Sequence, residues 1–285
     1  MAIETIPTLL VGAVRFLIAG LLLLLIALLT RARFPKSARE WRDQVIAGVL
    51  MAGAANTLVV YAEHELTSGI AALLAATIPI WMAAMEGMLG LSSLTPRKFA
   101  GLVLGFGGVA VLVAPAIGRV ETSVAFFLAV GAMQLSAVCW NAGTLIARGH
   151  RTRSNPMAAT TVQVLAGGMA MAVVAAAAGE RPTADMFSFR SSVAVLYLAV
   201  LGSVVAYTAY NYAQTKLSAG KVSSYAYVNP AIAVLTGALL LREPVTLRMI
   251  ASMVVILAGV AMIQIDRSRA EGREAGKTLS YRKGN

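Results

Sequence analysis

Runs of about 20 apolar residues recur along this chain, the length that crosses a bilayer core as a helix. No other feature narrows the fold as far. In hydrocarbon every backbone N–H and C=O must find a partner within the protein, which leaves helices or closed barrels. Runs this long and this continuously apolar are helical. Nine spans are read: Leu9–Leu29, Val45–Ala62, Thr67–Leu91, Phe99–Ile117, Ser123–Ala147, Met157–Ala178, Ser191–Tyr212, Val222–Leu241 and Leu247–Ile265. Most connections are short, so neighbouring helices must run antiparallel. The expected class is an all-α integral membrane bundle. Asp266–Asn285 is polar and basic and is expected to be a disordered tail.

Only 13% of the residues are charged, against about 25% in soluble domains. A net charge of +11 would suit a nucleic-acid partner in a soluble protein. Here the Lys and Arg residues sit between the apolar runs and in the tail, where they report topology. Membrane lipid and a small-molecule solute are the expected partners, and nucleic acid is not. Placing the loop with Arg31, Arg33, Lys36, Arg39 and Arg42 inside puts 18 of the 24 basic residues on that face. The C-terminus is then cytoplasmic, in a bacterial-type inner (plasma) membrane. The first apolar run is too long for a signal-peptide core, and no small-residue cleavage site follows it, so it is read as retained. Cys139 is the one cysteine and lies within an apolar run. Neither a disulfide, a metal site nor a cofactor is expected.

The chain also resembles itself. Shifted by 151 residues, Tyr61-Ala62 falls on Tyr212-Ala213, Gly69 on Gly220, Pro79 on Pro230, Thr95 on Thr246, and Gly108-Val109-Ala110 on Gly259-Val260-Ala261. The match pairs the third and fourth spans with the eighth and ninth. An offset of five spans inverts one copy relative to the other, the arrangement found in secondary transporters. The partner of Ser123–Ala147 would fall about 30 residues before Met1 at this offset. The expected ancestor is therefore five plus five helices, with nine of ten visible. Residues 1–118 form the first repeat, lacking its first helix, 119–266 the second, and 267–285 the disordered basic cytoplasmic tail.

Three stretches then carry a family resemblance: Ala62-Glu63-His64-x-x-Thr67-Ser68-Gly69-Ile70-Ala71-Ala72-Leu73-Leu74 running to Pro79, Ser224-Tyr225-Ala226-Tyr227-Val228-Asn229-Pro230, and Leu241-Arg242-Glu243-Pro244-Val245-Thr246. As an ordered set with the repeat, they are similar to the drug/metabolite transporter (DMT) superfamily, EamA type. The resemblance covers essentially the whole chain. It implies a ten-helix carrier that exports small metabolites, amino acids among them. The first copy departs by having Ser92-Ser93 where the second has Glu243.

Pro79 and Pro230 lie near the centres of their spans. Each removes a backbone donor and leaves a carbonyl four residues earlier, at Ala75 or Ala226, without its helical partner. The functional reading is a pair of hinges, and the structural one a pair of kinks. Trp81, Trp140, Asn141, Tyr207, Tyr225 and Asn229 gather aromatic walls and amide groups around that level, as cavity lining or as packing. Tyr210 and Tyr212 read as an interfacial belt.

Arg15 stands six residues into its span, roughly 9 Å below the outer surface at ~1.5 Å per residue. It reads as an outer gate, a carboxylate-binding group or a snorkelling side chain, with Glu63 and Glu65 as its expected partners. Glu86 is expected to snorkel inward. His64, between two carboxylates, reads as a proton-coupled gate or a solvated histidine. Thr160, Thr161 and Gln163 form a polar patch in the second copy, where Arg15 holds roughly the equivalent place in the first. Gly101-x-x-x-Gly105 with Gly107-Gly108 suits close helix packing, within the bundle or in a homodimer.

The function these features suggest is a secondary transporter that exports small organic metabolites, amino-acid-like or drug-like, by alternating access. No phosphate-binding G-x-x-x-x-G-K-[ST] loop occurs. An intramembrane enzyme would need catalytic residues at depth, and no catalytic set is read. A channel-like facilitator would need a filter-like segment, and none is evident.

Overall fold

The computed structural model describes residues 6–114, 124–148, 155–183, 186, 188–216, 232, 235–236, 238–239 and 245–283. No strand occurs among them. Eight helices are long and apolar enough to cross a membrane. They are α1 (Thr8–Leu29), α2 (Ala38–Glu63), α3 (Ser68–Met88), α4 (Pro96–Val113), α5 (Val124–Arg148), α6 (Pro156–Ala177), α7 (Phe189–Ala213) and α8, whose apolar part is Leu247–Ile265. These are eight of the nine expected spans. Tyr225, Asn229, Pro230 and Glu243 lie outside the described residues.

Local chemistry sets the helix starts. The Ser37, Thr67, Thr95, Asn155 and Ser188 side chains each accept a backbone N–H from the first turn that follows. At α2 Glu40 also reaches back past the cap, its Oε2 accepting the Lys36 N–H at 3.0 Å. α8 continues to Lys283, where composition predicts disorder from 267 onward. An already nucleated helix extends cheaply through good helix formers such as Arg, Glu, Ala and Lys.

Two compact units form, and each draws on both sequence repeats. Unit 1 is Met1–His64 with Leu135–Leu217, and unit 2 is Glu65–Gln134 with Ser218–Asn285. Helix α5 is divided between them.

In unit 2, α4 lies backbone to backbone on α8. A Cβ on Gly259 would meet the Gly105 N at 2.7 Å and its Cα at 2.9 Å, and one on Gly101 would meet the Gly259 O at 2.8 Å. From the other side, Gly108 faces the Ile256 N at 2.9 Å and the Ser252 O at 3.2 Å. Shifted by 151, Gly108 becomes Gly259, while Gly101 and Gly105 become Ser252 and Ile256. The contact is its own mirror image. The glycine series therefore serves packing within this unit, and Ala76, Ile80, Ala83, Ile256, Val260 and Ile263 close the core beside it.

Helix α3 is broken as well as bent. Its halves, Ser68–Ala75 and Ile78–Met88, are separated by Ala76 and Thr77. Pro79 sits in the first turn of the second half. Its missing N–H is no loss there, since first-turn donors lack helical partners anyway. The Thr77 hydroxyl lies 2.6 Å from the Leu74 carbonyl oxygen.

Candidate solute site

Unit 1 is built on a second mirror pair. α2 and α7 each contain a six-residue π-helical stretch, Val49–Ala54 and Val200–Val205, also 151 residues apart. The repeat legible from Tyr61 onward thus extends back through all of α2. Between α1 and α6 the register is 148: a Cβ on Gly20 would meet the Leu165 N at 3.2 Å, and one on Gly168 the Leu17 N at 3.0 Å. The contacts keep the symmetry, with α1 packing on α7 as α6 packs on α2.

A π turn leaves helical carbonyls without their ordinary donors. The Asn56 side chain answers one, donating from Nδ2 to the Met51 carbonyl at 3.0 Å. The same Nδ2 lies 3.4 Å from the Tyr207 hydroxyl. Asn56 and Tyr207 are separated by 151 and are therefore repeat equivalents. Equivalent residues touch only where they straddle the symmetry axis, and in an inverted repeat that axis lies in the membrane plane.

Arg15 reaches this point. Its Nη2 donates to Asn56 Oδ1 at 3.5 Å, the long end for a hydrogen bond. The guanidinium carbon stands 4.3 Å from the centroid of the Phe16 ring. Buried Nε has no partner, and no carboxylate among the described residues reaches ion-pair distance. Glu63, the expected partner, is not paired with it. It lies seven residues beyond Asn56, about 10 Å further along α2.

Aromatic rings surround the group. Phe16 meets Tyr207 edge-on at 5.7 Å, and Trp140 stands 5.6 Å from both Tyr207 and Tyr210. The Trp140 N–H lies 3.3 Å from the Tyr210 hydroxyl. Tyr207 is buried, while Arg15, Asn56, Trp140 and Tyr210 are half-buried.

The mirror position of Arg15 in α6 is Gln163. Its Nε2 donates to Gln44 Oε1 at 2.6 Å. Asn211 Nδ2 donates to Thr160 Oγ1 at 2.7 Å and lies 3.4 Å from Gln163 Oε1. The Thr160 hydroxyl donates in turn to the Pro156 carbonyl oxygen at 2.8 Å. Gln44, Gln163 and Asn211 also line a small cavity of about 30 Å³ with Pro156 and Thr215, little more than a water needs.

The structure thus gathers Arg15, Trp140 and Tyr207 from the sequence reading, with Tyr210 joining them through Trp140. Asn141 is buried on the same helix as Trp140. Trp81 and Pro79 belong to unit 2, where the Trp81 N–H donates to Gln134 Oε1 at 2.8 Å and its ring meets Phe106 at 5.1 Å. His64 Nε2 lies 3.4 Å from the Thr8 hydroxyl at the end of α2. Glu86, expected to snorkel, is buried. Sequence reasoning misses Asn56. An amide inside an apolar run is its only signal, and it faces Tyr207 once the repeat is slid five residues further upstream.

Eight helices among the described residues, arranged in repeat-related pairs, make this an integral membrane bundle. The chain belongs to the EamA-like transporter family, which matches residues 1–114 and 127–265. It is 32% identical over 239 residues to the uncharacterized inner membrane transporter YedA of Escherichia coli K12, covering 83% of this chain and 75% of that one. It is 26% identical to the uncharacterized transporter YvbV of Bacillus subtilis over 269 residues, 93% of this chain and 85% of that protein. A solved crystal structure shares its fold with a TM-score of 0.68 at 17% identity, covering 92% of this chain and 90% of the other.

Proposed function

We propose that this chain is a secondary carrier that exports a small organic solute by alternating access. One observation carries the reading: two repeat-related, π-distorted helices meet at Asn56 and Tyr207, beside an arginine that pairs with no carboxylate among the described residues. Inverted repeats let a carrier exchange an outward-open form for its inward-open mirror image. The exchange requires each copy to accept two shapes. A π turn supports this, because its loosened hydrogen bonds can shift register. A polar and aromatic focus at that level fits solute binding.

The bias of basic residues supports a cytoplasmic C-terminus, and the kinship with an inner membrane transporter supports that membrane. A reporter fused after Asn285 tests the orientation: green fluorescence is expected, and alkaline phosphatase activity at that point refutes it. Purified chain in liposomes preloaded with unlabelled amino acids and monocarboxylates should show saturable counterflow of the labelled compounds. Linear, conductive flux would refute the carrier.

A further inference from the structure

We propose that the solute carried here bears a carboxylate, and that Arg15 takes it at the axis of unit 1. This deepens the carrier reading and rests on it. Arginine keeps its proton and offers five donors in a rigid fork. Here one donor is engaged, at 3.5 Å, and a buried Nε has none. A cation within a membrane span is costly unless paired, yet no carboxylate among the described residues pairs with this one. The side chain is partly buried, with its Nε enclosed. It lies over the Phe16 ring and reaches Asn56.

The mirror position shows that the architecture does not demand a charge. Gln163 fills it with a neutral amide that donates to Gln44 and is approached by Asn211. A bidentate carboxylate would complete the unfilled fork of Arg15 and neutralise it. Trp140 and Tyr210, half-buried beside Arg15, supply flat apolar walls for the rest of the solute, and the Tyr207 O–H offers a polar edge. The chemistry selects a monocarboxylate on an apolar or aromatic body, and the same arginine repels an organic cation.

The test uses the full chain in nanodiscs, with binding read by tryptophan fluorescence and by thermal unfolding. The probes are benzoate, phenylacetate and hexanoate, their three amides, and benzylamine. The acids should bind saturably and roughly tenfold or more tightly than their amides, the range of a charge-assisted hydrogen bond. Arg15→Gln should erase the acid preference, and Arg15→Lys, which keeps charge but not the fork, should retain part of it. Should Arg15→Gln fail to fold, the wild-type acid-over-amide ratio decides alone. Equal binding of acids and amides, preference for benzylamine, no acid binding, or an Arg15→Gln variant that keeps the preference would each overturn the assignment. Counterflow of labelled amides without acid preference overturns it while leaving the carrier standing. Saturable acid binding without counterflow supports the site and refutes the carrier.

Discussion

Arg15 on α1 and Gln163 on α6 occupy mirror positions in unit 1, and the protein treats them in opposite ways. Gln163 is 3% exposed, and its amide is bonded to Gln44 and approached by Asn211. Arg15 is half-buried, bonded once at long range, and left with an orphan Nε. The two helices carrying them pack in a common 148-residue register, α1 on α7 as α6 on α2. A polar group satisfied from within holds a structure together. One left unsatisfied on the same scaffold costs stability, and that cost is consistent with a task.

Substitutions can break this comparison, starting with the scaffold both sides share. Gly167→Leu should have the largest effect, since even a Cβ there would meet the Gly48 carbonyl oxygen at 2.8 Å. Overpacking costs about 1–3 kcal/mol or more, and loss of the monodisperse peak in detergent is expected. Gly107→Leu is its control, because a Cβ at that position would have nothing within 4 Å, and it should behave like wild type.

Next comes Gln163→Leu. It leaves buried Gln44 without its partner, at about 1–3 kcal/mol, read as a lowered unfolding temperature. Adding Gln44→Leu should recover much of that loss. A double variant worse than the sum of the two singles would sink the view that this side is purely structural.

Asn56→Leu should cost about 1 kcal/mol by stranding the Met51 carbonyl, and should also weaken solute binding. Tyr207→Phe should be smallest, a few tenths of a kcal/mol, because its bond to Asn56 is long at 3.4 Å. Solute affinity under Tyr207→Phe sharpens the comparison: a drop larger than the stability loss marks the hydroxyl as a contact.

Much of this scaffold is legible in the amino-acid sequence. The apolar runs locate eight described helices, and the repeat anticipates the glycine interlock of Gly108 and Gly259. What is not legible has physical causes. A π turn leaves no composition of its own in an apolar run, since Val49–Ala54 reads like any buried helix. Attraction between opposite charges points Arg15 at Glu63, but two turns of α2 separate Glu63 from the level of Asn56. Trp81 and Trp140 sit at similar depths in their spans, yet helix depth says nothing about which unit a side chain joins. The break at Ala76–Thr77 falls just before its proline, and there the Thr77 hydroxyl donates to the Leu74 carbonyl oxygen.

The matched π turns date themselves. A surplus residue gained after the gene doubled would sit in one half alone. Finding the irregularity at Val49 and again at Val200 means, most simply, that the undoubled ancestor already carried it. On that account the defect in the helix is older than the joined chain.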